Sequence, residues 1–229
     1  MQSDPETEDV TSGNRQPVQE YLTVIYSIEE EGETAIQAHI AKRLGRAAPT
    51  VAAMLKRLEH AGYATRDPES KAVVLTGAGI RQAEEVVRKH RLAECMLVGL
   101  LGMEWHTVHR EAQRWQYAIS DEVANRLIKV LGDPKTCPHG NPIPGQPAER
   151  HWTRSARLIE LRAGDTAMAT RVTEELQADE QILESLLLAN FHPGCSARLV
   201  ESGEVMTVSF DGAAPVAIPR RVALGICVD

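Results

Sequence analysis

The sequence predicts a mainly α protein with a smaller β part: an N-terminal winged helix-turn-helix, a central helical segment for dimerisation and a C-terminal small β-barrel. Three observations predict it. Residues 18–58 hold three short amphipathic helical patterns separated by Gly-containing breaks. Residues 77–131 carry helical periodicity with more apolar positions than a small wing domain can cover. Residues 156–229 alternate short apolar runs with turn residues and hold one helical stretch.

In VQEYLTVIYSIEEE, Val18, Tyr21, Leu22, Ile25 and Ile28 share one helical face, and Gly32 ends the helix. TAIQAHIAKRLG follows, with Thr34 and Gln37 spaced as a capping box and Gly45 as a C-terminal stop. In RAAPTVAAMLKRLEHAG, Pro49 suits the first turn. Val51, Met54, Leu55 and Leu58 make the buried stripe, and Gly62 closes it. Two short helices joined by a few residues match a helix-turn-helix. YATRDPESKAVVLT then reads as two strands around the turn DPES, the wing. The plainer alternative is a small helical domain that uses this packing only for support.

Gly77 to Leu101 reads as one long helix. After a break at GMEWHT a second helix is expected from Val108 to Leu131, and the pair suggests a helical dimer interface. The Pro- and Gly-dense stretch GDPKTCPHGNPIPGQPAERHW marks a linker. The predicted boundaries are a disordered tail over 1–15, a winged helix over 16–76, a helical domain over 77–140, a linker over 141–155 and a β domain over 156–229. In the last, one short helix is expected near DEQILESLLLANFHPG.

A chain of 229 residues supports two to three small domains. No apolar run reaches the ~18 residues of a membrane span. The acidic, polar start MQSDPETEDVTSGNRQ carries no signal-peptide pattern. Four scattered cysteines suit reduced thiols and a cytoplasmic setting. A net charge of −7 argues against a general nucleic-acid coat. Yet Gln37 to Leu58 holds five Lys or Arg and no acid, beside the acidic EEEGE. Such a patch suggests one dedicated anionic contact.

His90 and Glu94 in RKHRLAE are i, i+4 on one helix and can share a divalent ion. An exposed His–Glu pair is the plainer reading. His109 can add a third ligand if the two long helices pack side by side. His106 and His109, at i, i+3, make another pair. Cys137 and His139 in CPHG suit metal, haem or simple loop packing. In HREAQRWQYAISDEV, His109, Gln113, Gln116 and Tyr117 share one face, a stripe of imidazole, amides and phenol. That stripe is either a hydrogen-bonded seam or a ligand site. With no HExxH, GxSxG or P-loop, no enzyme constellation is present.

EYLTVIYSIEEEGETAIQAHIAKRLGRAAPTVAAMLKRLEHAGY, VVLTGAG, RKHRLAE, VHREAQRW, SDEVANRLIKVLG and CPHGNPIPG together resemble the diphtheria-toxin-repressor family of metal-dependent transcriptional regulators, from Gln19 to Gly145. The C-terminal part is similar, more weakly, to that family's SH3-like domain, related to ferrous-iron-transport-A domains. The resemblance implies a homodimer on a palindromic double-stranded DNA operator, activated by Fe2+ or Mn2+, with Co2+ and Zn2+ also suited to such ligands. It places Gln37, Arg46, Pro49, Thr50 and Arg57 toward DNA, the two arginines mainly as phosphate anchors. Ala52 and Ala53 stand where the family usually offers Ser and Gln, which implies a different operator.

The resemblance also implies an ancillary metal site at His90, Glu94 and His109. Asp179 is matched as the added carboxylate, with Glu180 beside it, and the accompanying amide falls near Ile182. The family's activating site falls on Glu20, Gln113, Gln116 and Tyr117, of which only Glu20 is charged. A Gln carbonyl competes poorly for a first-row divalent ion. The expectation is that hydrogen bonds among these four replace the ion. A degenerate site, or a pocket for another ligand, are the alternatives. The function expected is therefore a metal-responsive repressor, with a metal-independent or other-ligand-sensing regulator of the same fold as the second reading.

Overall fold

The computed structural model describes residues 15–145 and 155–229. The predicted tail, apart from Arg15, and residues 146–154 of the predicted linker lie outside the described residues. The chain divides into two compact units. One holds the residues up to Tyr26 with Thr34–Ala83, and the other Ser27–Glu33 with Glu84–Asp229.

The first unit is the winged helix. Helix α1, Arg15–Glu30, buries Val18, Tyr21, Leu22 and Ile25 as the periodicity predicts. Helix α2, Gln37–Leu44, ends at Gly45, whose φ of 60° supplies the left-handed turn. Helix α3, Ala48–His60, carries Pro49 in its first turn and buries Val51, Leu55 and Leu58. The expected capping box does not form. Ile36 is the N-cap with no side-chain bond, and the Gln37 amide instead donates to Ala48 O at 3.1 Å, stapling the α2–α3 turn.

Strands β1 (Ala64–Arg66) and β2 (Val73–Leu75) pair antiparallel. Asp67 organises their turn. Its Oδ1 accepts from Glu69 N at 3.0 Å, Ser70 N at 2.6 Å and Ser70 Oγ at 2.8 Å. These bonds hold its exposed carboxyl below the usual range.

In the second unit the helix expected over 108–131 is two helices. After α4, Gly77–Gly99, come α5, Val108–Trp115, and α6, Asp121–Val130. The break is chemical. Ser120 accepts from Val123 N at 3.2 Å as an N-cap, and Asp121 and Glu122 fill the first turn, where the helix dipole favours acids. Leu92, Leu97, Val108, Ala112, Ile119 and Leu127 form the core of this layer.

The C-terminal part is an antiparallel six-stranded sheet, ordered β3 (Ala156–Arg157), β8 (Ile226–Val228), β4 (Thr166–Val172), β5 (Ser196–Glu201), β6 (Val205–Phe210), β7 (Val216–Pro219). It is open, and the expected closed barrel is corrected on that point. The edge strands β3 and β7 do not pair with each other. β3 is only two residues long, and the segment expected to run on as strand folds first into α9, Arg220–Leu224, between β7 and β8. Helices α7, Glu174–Gln177, and α8, Glu180–Leu188, follow β4. Phe191 and Phe210 meet edge to face at 5.3 Å in the core.

Candidate metal centre

Three stretches of the second unit converge on one carboxylate oxygen, and a fourth lies beside them. His90 and Glu94 stand one turn apart on α4, and His90 Nε2 lies 3.1 Å from Glu94 Oε1. His109, near the start of α5, brings Nδ1 to 3.1 Å from the same oxygen and 3.1 Å from His90 Nε2. His139 places Nδ1 3.3 Å from Glu94 Oε1. Glu174, the first residue of α7, lies 3.7 Å from His109 Nδ1 through Oε2. Two sets of candidate ligand atoms result, each within 4.8 Å: His90, His109 and Glu174, and Glu94, Cys137 and His139.

Local sequence explains each placement. The segment 137–143 lies along β4, since Val172 N donates to His139 O at 2.9 Å and Asn141 Nδ2 to Val172 O at 2.8 Å. Gly140, at φ 86°, lets it approach: a Cβ there would meet Thr170 O at 2.1 Å. His139 Nε2 donates to Trp105 O at 3.1 Å, which turns Nδ1 toward Glu94. Thr173 caps α7, accepting from Leu176 N, and this sets Glu174 beside the imidazoles. Arg91, fully buried, holds Glu174 Oε1 at 2.9 Å and Glu30 Oε2 at 2.6 Å.

The charges are strongly interdependent. Burial would raise the Glu94 carboxyl, but the His139 and His90 imidazoles and hydrogen bonds from His109 and His139 hold it well below the usual carboxylate range. Burial would lower His109, and Glu94 with Glu174 raises it instead. Burial and the nearby Glu94 push the Cys137 thiol well up.

His90, Glu94 and His109 are thus together, as expected. Asp179 is in neither set: it is the N-cap of α8, and its Oδ1 accepts from Ile182 N at 3.1 Å. Glu180 pairs with Arg110 at 3.1 Å. Glu174, five residues before Asp179, is the acid grouped with His90 and His109, and Gln177 is buried on the same short helix. The signal that sequence reasoning missed is TEELQ, a Thr cap followed by acid and amide three apart. His106 is not in either set.

The stripe predicted as an altered site divides between the units. Glu20, in the first, pairs with Arg46 at 3.0 Å. In the second, Gln113 Nε2 lies 2.9 Å from His109 Nε2, Gln116 caps the end of α5 and Tyr117 follows it. In the winged helix, Arg46, Pro49 and Thr50 are exposed, as is Ala53, and Arg57 is half-buried.

Comparison with known proteins adds to this geometry. The chain matches the family models "Iron dependent repressor, N-terminal DNA binding domain" over residues 16–72 and "Iron dependent repressor, metal binding and dimerisation domain" over residues 76–145. It is 36% identical over 220 residues to the iron-dependent repressor IdeR of Mycobacterium tuberculosis, covering 91% of this chain and 95% of that one. It is 35% identical over 199 residues to the diphtheria toxin repressor of Corynebacterium diphtheriae, covering 84% and 88%. Among solved structures, a manganese-dependent transcriptional repressor in complex with manganese aligns with a TM-score of 0.82 at 31% identity, covering 92% of this chain and 98% of that one. The T. acidophilum IdeR aligns with a TM-score of 0.76 at 27% identity, covering 100% and 99%.

Proposed function

The chain belongs to the DtxR/IdeR family of metal-dependent DNA-binding transcriptional repressors, and from that premise we propose which of its residues hold the ion and which meet DNA. The family is one of transcriptional repressors and not of enzymes.

His90, Glu94, His109 and Glu174 would hold a divalent ion, with Cys137 and His139 offering a second set that shares the same buried space. The residues fit such an ion. Glu94 Oε2 and His90 Nδ1 are buried with no hydrogen-bond partner among the described residues. Leaving such groups unpaired costs stability unless something coordinates or neutralises them. The single observation that carries the reading is the meeting of three imidazole nitrogens at one Glu94 oxygen, within 3.3 Å. Imidazole with carboxylate suits Fe2+ and Mn2+, and equally Co2+ and Zn2+. The ion would supply the positive charge that offsets the acids held by α4 and α7 beside the imidazoles of α4 and α5.

Glu20, Gln113, Gln116 and Tyr117 are read as an altered activating site. What supports this is donor chemistry: three of the four are neutral, Glu20 is engaged by Arg46 and Gln113 by His109. Control by metal then rests on the centre at Glu94. The protein acts as a homodimer whose two winged helices read a palindromic operator, with Gln37, Arg46, Pro49, Thr50 and Arg57 at the DNA. Gln37 acts through the turn it staples.

The test is selection of DNA from the source genome by purified protein, under chelation and after Mn2+ or Fe2+ is restored. Enrichment of a palindrome only with metal, lost in Glu94→Gln, is the expected result. Equal enrichment under chelation would favour the metal-independent reading, in which the hydrogen-bonded stripe has replaced the ion.

A further inference from the structure

Three imidazoles face Glu94, and their far nitrogens are treated differently. His139 Nε2 meets the Trp105 carbonyl at 3.1 Å, an acceptor only, so that ring has one tautomer. His90 Nδ1 has no hydrogen-bond partner among the described residues. His109 Nε2 meets the Gln113 side-chain amide at 2.9 Å, and an amide both donates and accepts.

We infer that Gln113 is a positioning residue for the metal centre: its amide supports His109 in both tautomers, one for the empty site and one for the loaded site. The inference rests on the metal reading above. As the atoms lie, the Gln113 amide nitrogen faces His109 Nε2. In that amide orientation Gln113 donates to a bare Nε2, and the matching tautomer, assigned to the empty site, carries its proton on Nδ1. Nδ1 then donates to Glu94 Oε1 at 3.1 Å. To serve as a ligand, Nδ1 must give up that proton and present its lone pair. A proton is taken up at Nε2 from water, so the neutral ring gains and loses one proton with no change in charge. Nε2–H now donates, and the amide turns over so that its carbonyl oxygen accepts.

A carboxylate or an alkyl side chain cannot serve both stages. A carboxylate only accepts, which fixes the loaded tautomer. Leu offers nothing to either. The spacing is why this residue can act: His109 and Gln113 are i, i+4 on α5. The stripe noted in the sequence thus has one member whose partner is the centre at Glu94.

The experiment uses the full chain, 15N-labelled at histidine, with Zn2+ as the diamagnetic probe. Long-range proton–nitrogen spectra report the His109 tautomer with and without Zn2+, and chelator competition reports affinity, in wild type, Gln113→Leu and Gln113→Glu. In wild type, Zn2+ should move the His109 proton from Nδ1 to Nε2. Gln113→Leu should weaken Zn2+ binding about tenfold, the size of effect expected when an outer partner of a ligand is removed. Gln113→Glu should hold the Nε2–H tautomer even without Zn2+ and keep tight binding. Gln113 is exposed, so these variants are expected to fold. Wild-type affinity and tautomers in Gln113→Leu overturn the inference. If Zn2+ leaves the wild-type His109 signals unchanged, the metal reading itself falls, and this one with it.

Discussion

Arg91 is a cation with no exposed surface, placed between Glu30 and Glu174. Burial would lower its pKa, but the two acids raise it well above the ordinary value. Arg91→Met leaves two acids without their cation. It should cost about 3–5 kcal/mol, the range for breaking a buried pair from one side, read by urea unfolding of metal-free protein. The same residue sets a pH dependence. Burial would raise Glu174, and Arg91 brings it below the usual range. A lowered folded pKa gives stability that is present above the unfolded value and lost as pH falls through the folded one. Stability should therefore decline in acid below the ordinary Glu titration, and Arg91→Met should flatten that limb. A decline of equal steepness in the variant would place the acid sensitivity elsewhere. None of this was legible in RKHRLAE, because a helix-borne Arg beside a His reads as solvated until the elements that bury it are known.

Elements were legible where one signal dominated. The winged helix came through because Gly32, Gly45 and Gly62 punctuate three clear apolar stripes, and all three have positive φ. The 108–131 segment did not, because helix formers continue past Trp115 and hide the Ser120 cap. Ser120→Ala should cost about 1 kcal/mol and lower amide protection mainly in α6, as hydrogen exchange would show. Helix α7 was missed for a different reason. A single turn has too little periodicity to detect, yet it carries Glu174. The CPHG stretch was legible as chemistry but not as placement, since only pairing with β4 turns His139 inward. Gly140→Ala tests that pairing. The positive φ alone costs about 1–3 kcal/mol for a side chain, and the added Cβ collides with Thr170 O. Co2+ absorption bands from a Cys137–His139 ligand set should weaken in this variant. Bands of wild-type intensity would separate the segment from the metal centre.

For the whole molecule, acidity and DNA binding are reconciled by distribution. A chain of net charge −7 keeps an acid-free stretch from Gln37 to Leu58 on α2 and α3. Changing Arg46 and Arg57 together to Ala should weaken operator binding and reduce the log–log salt slope by ~1 for each phosphate no longer neutralised. An unchanged slope in fluorescence anisotropy would remove both from the interface. Arg46→Ala also frees Glu20 from its partner, so it should raise nonspecific repulsion from DNA beyond the removal of one cation. The scattered origin of the candidate metal ligands has a consequence in time. His90 and Glu94 leave the ribosome early, while Glu174 and the strand that seats His139 come much later. A growing chain therefore carries the imidazoles that face Glu94 before it carries Glu174. The proposed set of His90, Glu94, His109 and Glu174 would then close only after residue 174 has been made, so an ion met earlier would find the site one carboxylate short.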